Sequence, residues 1–225
     1  MAQWRVTWLI EHSTSHQLLW FIDSFVLRIP PLRQAPKRCN QLDFKMKIFE
    51  TKRLIIRNLV ETDSDDYYDM MGNPNVMNMI PREVMSREES DKHLNSFIGK
   101  DQTLTDLKVW GIETKTENEF IGLCAFLKNN ENEDEIGYRL REKHWRKGFG
   151  TEIAKGLIEF GFKELEMEKI TADVDIKNLN SAKILEKFMV QTKEFFNESD
   201  NCIDRRYEVI KNNWLQLSRR LRQLS

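Results

Sequence analysis

The chain has 225 residues, 40% of them hydrophobic, which is enough to bury a sizeable core as one domain with extensions. Its 35 basic and 36 acidic residues leave a formal net charge of -1, so no global basic field is present to attract nucleic acid. The cysteines, Cys39, Cys124 and Cys202, are odd in number and widely spaced, which argues against a metal site or a disulfide framework and favours a reduced, cytoplasmic compartment.

Residues 1–46 are predicted to be an extension that precedes the domain. Residues 6–27 could form an amphipathic helix that stops before Pro30, because proline lacks the amide donor that a helix needs. The longest apolar run, residues 18–22, is much shorter than the run of about 20 residues that crosses a bilayer, so no membrane partner is expected. Three alternatives remain open for the extension: it is disordered, it is a mitochondrial presequence, or Met46 is the natural start of the protein.

Strands and helices alternate over residues 47–214, which is the predicted domain. An acidic first turn after Thr62 and the capping box Ser-Arg-Glu-Glu from Ser86 mark two helix starts. The predicted elements of this first half are a strand at residues 53–59, a helix at 62–71, a turn at 72–75 and a helix from 86 to about 99.

Three strands with short polar connections follow, at residues 108–114, 120–127 and 135–140, and predict an antiparallel meander. A helix is predicted over residues 151–162, because its apolar side chains recur at helical spacing. Residues 170–176 then alternate between apolar and polar side chains, which is typical of a strand. A strand, a crossover helix and a second strand place one parallel pair in an otherwise antiparallel sheet.

A last helix at residues 180–188 and a closing hairpin at residues 194–197 and 206–210 complete the predicted domain. Residues 215–225 are predicted to be a basic C-terminal tail, which we interpret as a frayed surface helix. The elements together predict an α/β (α+β) fold, with a mixed, mostly antiparallel central sheet that contains one parallel strand pair and is flanked by helices.

The segment between Leu140 and Thr151 carries the clearest functional pattern. It places Gly148 and Gly150 after two basic residues, between a strand and a helix. Glycine lets the backbone approach a ligand, and free amides at a helix start bind anions, so this loop suits a pyrophosphate. A Gly-x-Gly before a helix also occurs as a plain strand-to-helix turn, so the hypothesis needs support from other segments.

Four segments together resemble the general N-acetyltransferase (GNAT) superfamily, and most closely its branch of ribosomal-protein alanine N-acetyltransferases. These segments are residues 51–57 (TKRLIIR), 73–77 (NPNVM), 135–152 (EIGYRLREKHWRKGFGTE) and 175–187 (DIKNLNSAKILEK). Trp145 stands where much of the superfamily has glutamine or arginine, and Arg146 replaces the usual glycine. Residues 188–190, Phe-Met-Val, depart from the usual Leu-Gly-Phe, which removes a glycine cap after the last helix.

The resemblance implies the GNAT-like acyl-CoA N-acyltransferase fold, acetyl-CoA as co-substrate and no metal. The implied reaction is acetyl transfer to a primary amine by direct attack in a ternary complex. The alternative is an acetyl-CoA-binding regulatory or interaction protein without turnover. The implied cofactor-binding residues are Leu140, Trp145, Arg146, Lys147, Gly148, Phe149, Gly150, Thr151 and Asn178. Helix capping is the structural alternative for Asn178.

Three residues are candidates for the chemistry of acetyl transfer, in which an amine must lose a proton and a thiol must gain one. Glu135, on the strand before the loop, is the candidate general base, and its neighbour Asp134 is the alternate. By resemblance, Ser181 could protonate the departing sulfur, since Leu185 stands where many family members have a tyrosine acid. The Tyr138 amide could bind the carbonyl oxygen as charge develops. An exposed carboxylate and a helix cap are the structural alternatives for Glu135 and Ser181.

The acceptor amine is left open by the sequence. A protein N-terminus, a polyamine, an amino acid and an antibiotic all carry the required group, and Leu185 in place of the family tyrosine counts against a polyamine. No nucleic acid partner is expected, and a homodimer is compatible with the sequence.

Overall fold

The computed structural model of the chain describes residues 44–78, 83–99 and 106–216. The predictions for residues 1–43 and for residues 217–225 of the basic tail lie outside the described residues. The strands are β1 (Lys47–Glu50), β2 (Leu54–Arg57), β3 (Lys108–Thr114), β4 (Phe120–Lys128), β5 (Asp134–Leu140), β6 (Lys169–Asp175), β7 (Val190–Asn197) and β8 (Cys202–Ile210). The helices are α1 (Ser64–Met71), α2 (Pro74–Met77), α3 (Arg87–Asn95), α4 (Phe149–Lys163) and α5 (Leu179–Leu185), with 3-10 turns at Glu61–Asp63 and Glu142–His144 and a further helical stretch at residues 211–216.

All of these strands form one sheet in the order β1-β2-β3-β4-β5-β6-β8-β7. Neighbouring strands pair antiparallel except β5 and β6, which are parallel and are connected through the crossover helix α4. The predicted fold class, a mixed and mostly antiparallel sheet with one parallel pair flanked by helices, is therefore confirmed. Because parallel strands end at the same edge of a sheet, the carboxyl ends of β5 and β6 lie at one edge.

Helix α4 packs its apolar side on one face of the sheet. Its buried large residues recur at helical spacing and are Phe149, Ile153, Leu157, Ile158 and Phe162. On β5, Ile136, Tyr138 and Leu140 belong to the same core as this helix, whereas Glu135 and Arg139 alternate with them and lie on the opposite face. Burial of each large apolar side chain contributes roughly 1.5–3 kcal/mol, so the position of α4 against β5 is firmly held.

Helices α1 and α3 cover the opposite face of the sheet, over a second core that includes Leu59, Tyr67, Met70, Leu94, Leu123 and Leu127. Arg57 on β2 anchors the entry to α1. Its buried guanidinium pairs with Asp63 at 2.7 Å and with Glu113 on β3 at 2.7 Å. A buried arginine requires such partners, so this cluster joins the two strands to the start of α1.

The structure corrects several predicted boundaries in the first half of the domain. The strand predicted at residues 53–59 is the shorter β2, and β1 before it was not predicted. The turn predicted at residues 72–75 is partly helical, because the Asn73 side chain caps α2 and a proline occupies its first position. Helix α3 ends at Asn95, where residues 96–99 continue as turns.

The closing hairpin is longer than predicted, because β7 starts at Val190 and β8 starts at Cys202. Strand β7 lies at the edge of the sheet and most of its side chains are exposed, so its sequence lacks the apolar alternation that marks a half-buried strand. Helix α5 ends at Leu185, three residues before the predicted end at residue 188.

Candidate active site

Strands β5 and β6 are joined at one end and separate at the other. Their parallel ladder joins Glu135 to Thr171 and, within the described sheet, extends no further. Thr171 Oγ1 closes the joined end by donating to the Asp134 carbonyl at 3.0 Å. Beyond this point β5 continues beside β4 as far as Leu140, and β6 continues beside β8 as far as Asp175. A gap therefore opens between β5 and β6 toward the glycine loop.

The Glu135 side chain lies where the two strands begin to separate. Glu135 is 4% exposed, and its Oε1 accepts a hydrogen bond from the Asp173 amide at 3.4 Å. A continued ladder would pair that amide with the backbone of β5, so the carboxylate helps to end the ladder. The alternate base, Asp134, is instead paired with Lys128 at 2.8 Å and its side chain is 31% exposed. Of the two adjacent carboxylates, Glu135 is the one at the gap.

Two left-handed backbone conformations turn the chain from β5 into α4. They occur at Arg146, with φ of 61°, and at Gly148, with φ of 79°. Glycine adopts this conformation freely, whereas another residue is disfavoured by roughly 1–2 kcal/mol. Arg146 therefore occupies a position that suits the glycine usual in the resembling family, and it keeps the same backbone shape at a cost.

The start of α4 is suited to an anion. Gly148 is the N-cap of this 15-residue helix, and no described side chain forms a capping hydrogen bond there. The first amides of a helix have no partner within it, and the helix dipole adds partial positive charge at the same end. Exposed Arg146 and Lys147 precede this start and add two formal charges.

Three predicted cofactor residues support the loop with their side chains. The Trp145 indole donates from Nε1 to the Leu140 carbonyl at 2.8 Å, which closes the base of the loop. The side chains of Leu140 and Phe149 are buried in the core that α4 shares with β5. These two residues therefore present only their backbone to a ligand at the loop.

Helix α5 lies close to the loop and to β5. A Cβ added to Gly150 would lie 3.0 Å from Ile184 Cδ1 and 3.4 Å from the Tyr138 ring, so α5 and β5 both approach the loop closely here and a side chain would require Ile184 to shift. Exposed Lys187, after α5, places its Nζ 3.3 Å from Thr151 Oγ1. The structure thus brings the predicted loop, Tyr138 and α5 together around the gap.

Asn178 and Ser181 lie at the start of α5 and have different roles. The Asn178 side chain caps the helix, because its Oδ1 accepts from the Ser181 amide at 3.2 Å. The Ser181 hydroxyl is buried and has no hydrogen-bond partner in the described part of the chain. A buried hydroxyl without a partner costs about 1–3 kcal/mol, so such groups are retained mainly where something else uses them. Helix capping therefore explains the position of the Asn178 side chain, but it does not explain why the Ser181 hydroxyl is buried.

Other reactive side chains near the site have structural environments. Burial lowers the pKa of His144, although Glu119 opposes this effect at 3.4 Å. Burial raises the pKa of the Cys124 thiol, which stays protonated in the core. Within residues 44–78, 83–99 and 106–216, no group of three or more His, Cys, Asp or Glu side chains could hold a metal ion. No helix in these ranges is long and apolar enough to cross a membrane.

Sequence reasoning missed the residues that hold the loop from outside. Glu152 in the first turn of α4 accepts hydrogen bonds from Thr51 and Arg53, and Glu142 before the loop accepts hydrogen bonds from two asparagines of residues 73–77. The only sign of these contacts in the sequence was the resemblance of residues 51–57 and 73–77 to the family. It did not reveal a role, because the partners are distant in sequence.

Known proteins resemble this chain in sequence and in fold. A family model described as an acetyltransferase (GNAT) domain matches residues 53–189. The chain belongs to the GNAT acetyltransferase family. The uncharacterized N-acetyltransferase YoaA of Bacillus subtilis is 31% identical over 147 residues, which cover 64% of this chain and 82% of that protein. The uncharacterized N-acetyltransferase p20 of Bacillus licheniformis is 28% identical over 170 residues, which cover 73% and 93%.

Solved structures show the same GNAT fold. A GNAT-family acetyltransferase from Bacillus anthracis has a TM-score of 0.64 at 24% identity and covers 72% of this chain and 98% of that one. RimL, a ribosomal L7/L12 alpha-N-protein acetyltransferase in complex with coenzyme A, has a TM-score of 0.61 at 17% identity and covers 75% and 99%. The family resemblance and the prediction of an N-acetyltransferase are therefore confirmed.

Acetyl-CoA is the co-substrate that the GNAT family implies, and the residues of the site fit it. The uncapped start of α4 and its two exposed cations suit a pyrophosphate. The gap between β5 and β6 suits an extended arm, and the buried Ser181 hydroxyl on α5, the helix that follows β6, has a hydrogen bond to offer.

Proposed function

We propose that this GNAT enzyme transfers an acetyl group from acetyl-CoA to a primary amine by direct attack in a ternary complex. The observation that carries the proposal is the uncapped start of α4 next to the gap between β5 and β6. When bound, acetyl-CoA supplies an acetyl group activated as a thioester. The loop amides from Gly148 to Thr151 bind its pyrophosphate, and the cations of Arg146 and Lys147 offset the phosphate charge.

Glu135 acts as the general base on the acceptor amine, directly or through one water. Its buried position at the gap and its hydrogen bond from the Asp173 amide fix the direction of the carboxylate. The Ser181 hydroxyl donates a proton to the departing sulfur, and the Tyr138 amide stabilises the carbonyl oxygen. Positioning contributes most, because direct transfer needs aligned reactants rather than a protein nucleophile.

The acceptor is a protein N-terminus or a small-molecule amine. The face of the sheet that carries Glu135 also carries Asp173, whose charge is balanced by Arg206 through hydrogen bonds of 2.8 and 2.7 Å. The Glu135 carboxylate remains on this face together with the buried Arg139, and the carboxylate is the group there that suits an amine. Since RimL is by its name an alpha-N-protein acetyltransferase, peptides with free N-termini lead the panel of acceptors to be tested.

The first prediction concerns cofactor binding by the loop. Gly148→Ala should weaken coenzyme A binding at least tenfold, because alanine disfavours the left-handed conformation that directs the loop amides. Gly99→Ala is the matched control, since Gly99 has φ of 72° in the turns that follow α3 and its replacement should change affinity little. Calorimetry with coenzyme A measures both. The absence of heat with the wild-type protein would refute the proposed function.

The second prediction concerns the general base. Glu135→Gln keeps an oxygen acceptor for the Asp173 amide and removes the base, so kcat should fall about a hundredfold while coenzyme A still binds. Asp134→Asn is the control and should retain its rate, since Asp134 pairs with Lys128 away from the gap. Release of thiol from acetyl-CoA with the amine panel measures the rate. Tight cofactor binding without release for any amine would favour a binding protein without turnover.

A further inference from the structure

The carboxylate of Glu152, in the first turn of α4, is held by the segment between β1 and β2. It accepts hydrogen bonds from Thr51 Oγ1 at 2.6 Å, from the Arg53 amide at 2.7 Å and from Arg53 Nε at 2.6 Å. Burial raises the pKa of Glu152, but these donors outweigh it and hold the pKa below its ordinary value. Glu152 is therefore a carboxylate at neutral pH, and it attaches the start of α4 to the edge of the sheet.

Arg53 also reaches the loop itself. Its Nη1 donates to the Lys147 carbonyl at 2.9 Å, and its guanidinium carbon lies 4.4 Å from the centre of the Phe149 ring. One planar group thus bridges a loop carbonyl before Gly148 and a helix carboxylate after it. Lysine has a single nitrogen and cannot reproduce this fork.

The other end of the loop is held in the same manner. Glu142 lies three residues before Trp145 and accepts hydrogen bonds from Asn73 Nδ2 at 2.8 Å and from Asn75 Nδ2 at 2.9 Å. Asn73 also caps α2 by accepting from the Asn75 amide. The start of α2 is thereby tied to the chain that leads into the loop.

Within the loop, the Trp145 indole fixes the base by its hydrogen bond to the Leu140 carbonyl, but the amides at the start of α4 are not fixed in this way. The loop contains left-handed positions at Arg146 and Gly148, and no described side chain caps the helix that follows. Amides that are to bind an anion cannot also be used by internal caps. Contacts from outside the loop, at the Lys147 carbonyl and at Glu152, therefore contribute to the direction of those amides.

We propose that Arg53 and Asn75 are positioning residues for the cofactor loop, acting through Glu152 and Glu142 to set the affinity for acetyl-CoA. This inference rests on the proposed function and assigns a role to the two family-like segments that the reaction itself does not use. A residue with a merely structural role would change the stability or the active fraction and leave the KM for acetyl-CoA unchanged.

The test compares Arg53→Gln, Arg53→Lys and Asn75→Ala in the full chain. Both Arg53 variants should raise the KM for acetyl-CoA and the Kd for coenzyme A about tenfold, since a charge-assisted contact is lost in each, with kcat within about twofold of wild type. Asn75→Ala should raise both constants by a smaller factor, because Asn73 still holds Glu142.

Arg87 supplies the matched control. It is an exposed arginine paired with Asp65 and Asp91 and placed 5.7 Å from the Tyr68 ring, on α3. Arg87→Gln and Arg87→Lys should leave both constants unchanged. A wild-type KM in Arg53→Lys would overturn the inference, because a charge alone would then suffice. A loss of kcat or stability at unchanged KM in Arg53→Gln would also overturn it, whereas failure of the wild type to bind coenzyme A would overturn the proposed function as well.

Discussion

Within the described residues, two serines in different parts of the fold have a buried hydroxyl group that lacks a hydrogen-bond partner. The Oγ atoms of Ser181 and Ser90 are both buried without a hydrogen-bond partner in the described ranges. Ser181 lies in the first turn of α5, the helix that follows β6, whereas Ser90 lies on α3 at the other face of the sheet. The pair allows the energetic cost of an unpaired hydroxyl to be separated from its use in catalysis.

Replacement of Ser181 by alanine should lower activity without lowering stability. Removal of an unpaired buried hydroxyl leaves the free energy of unfolding unchanged or raises it by about 1 kcal/mol, while loss of the proposed acid lowers kcat tenfold to about a hundredfold. Ser90→Ala should show the same effect on stability with a wild-type kcat. Urea unfolding and thiol release measure the two quantities. A wild-type kcat in Ser181→Ala would remove Ser181 from the mechanism.

At the scale of elements, buried periodic segments could be predicted from the sequence and exposed ones could not. Helix α4 was predicted at residues 151–162 and runs over Phe149–Lys163, and β6 was predicted at residues 170–176 and runs over Lys169–Asp175. Helix α4 buries one face, and β6 is buried on both faces but carries apolar side chains on one of them, so the apolar spacing of each is visible in the sequence. Strand β1 and the first half of β7 lie at the two edges of the sheet and are largely exposed, which removes that signal.

The residues of the candidate site also fall into two groups, those that could be found from the sequence and those that could not. The glycine loop could be found from the sequence because its glycines, its basic residues and the helix start are adjacent along the chain. The two carboxylates Asp134 and Glu135 could not be ranked, since only strand pairing shows which one lies at the gap. The contact between Thr51 and Glu152 spans 101 positions, so it exists only after the sheet has formed.

At the scale of the whole molecule, the net charge is close to zero, yet several carboxylates are stabilised in the ionised form by basic neighbours. The pKa values of Glu113, Glu119, Glu133 and Glu152 all lie below their ordinary values, because hydrogen bonds and charges from basic neighbours outweigh burial where burial opposes them. These carboxylates lie on β3, before β4 and β5, and on α4, so their ionisation stabilises contacts across the fold.

Acid should therefore destabilise the protein, and Glu113 allows the effect to be assigned. Burial raises its pKa, but hydrogen bonds from Lys45 and Arg57 outweigh burial, so the folded pKa is depressed. A depressed folded pKa contributes stability that is present above the unfolded value of about 4.3 and is lost as pH falls through the folded value. Glu113→Gln should lower the free energy of unfolding by about 2 kcal/mol at pH 7 and flatten its decline below about pH 4.3.

Urea unfolding of the wild type and Glu113→Gln between about pH 3 and pH 7 measures this difference. Glu88→Gln is the control, because Glu88 forms an exposed pair with Lys92 on α3 and should change neither the stability nor its pH dependence. Equal acid dependence in the wild type and in Glu113→Gln would show that Glu113 does not contribute, and that the loss of stability arises at other carboxylates with lowered pKa values, such as Glu119, Glu133 and Glu152.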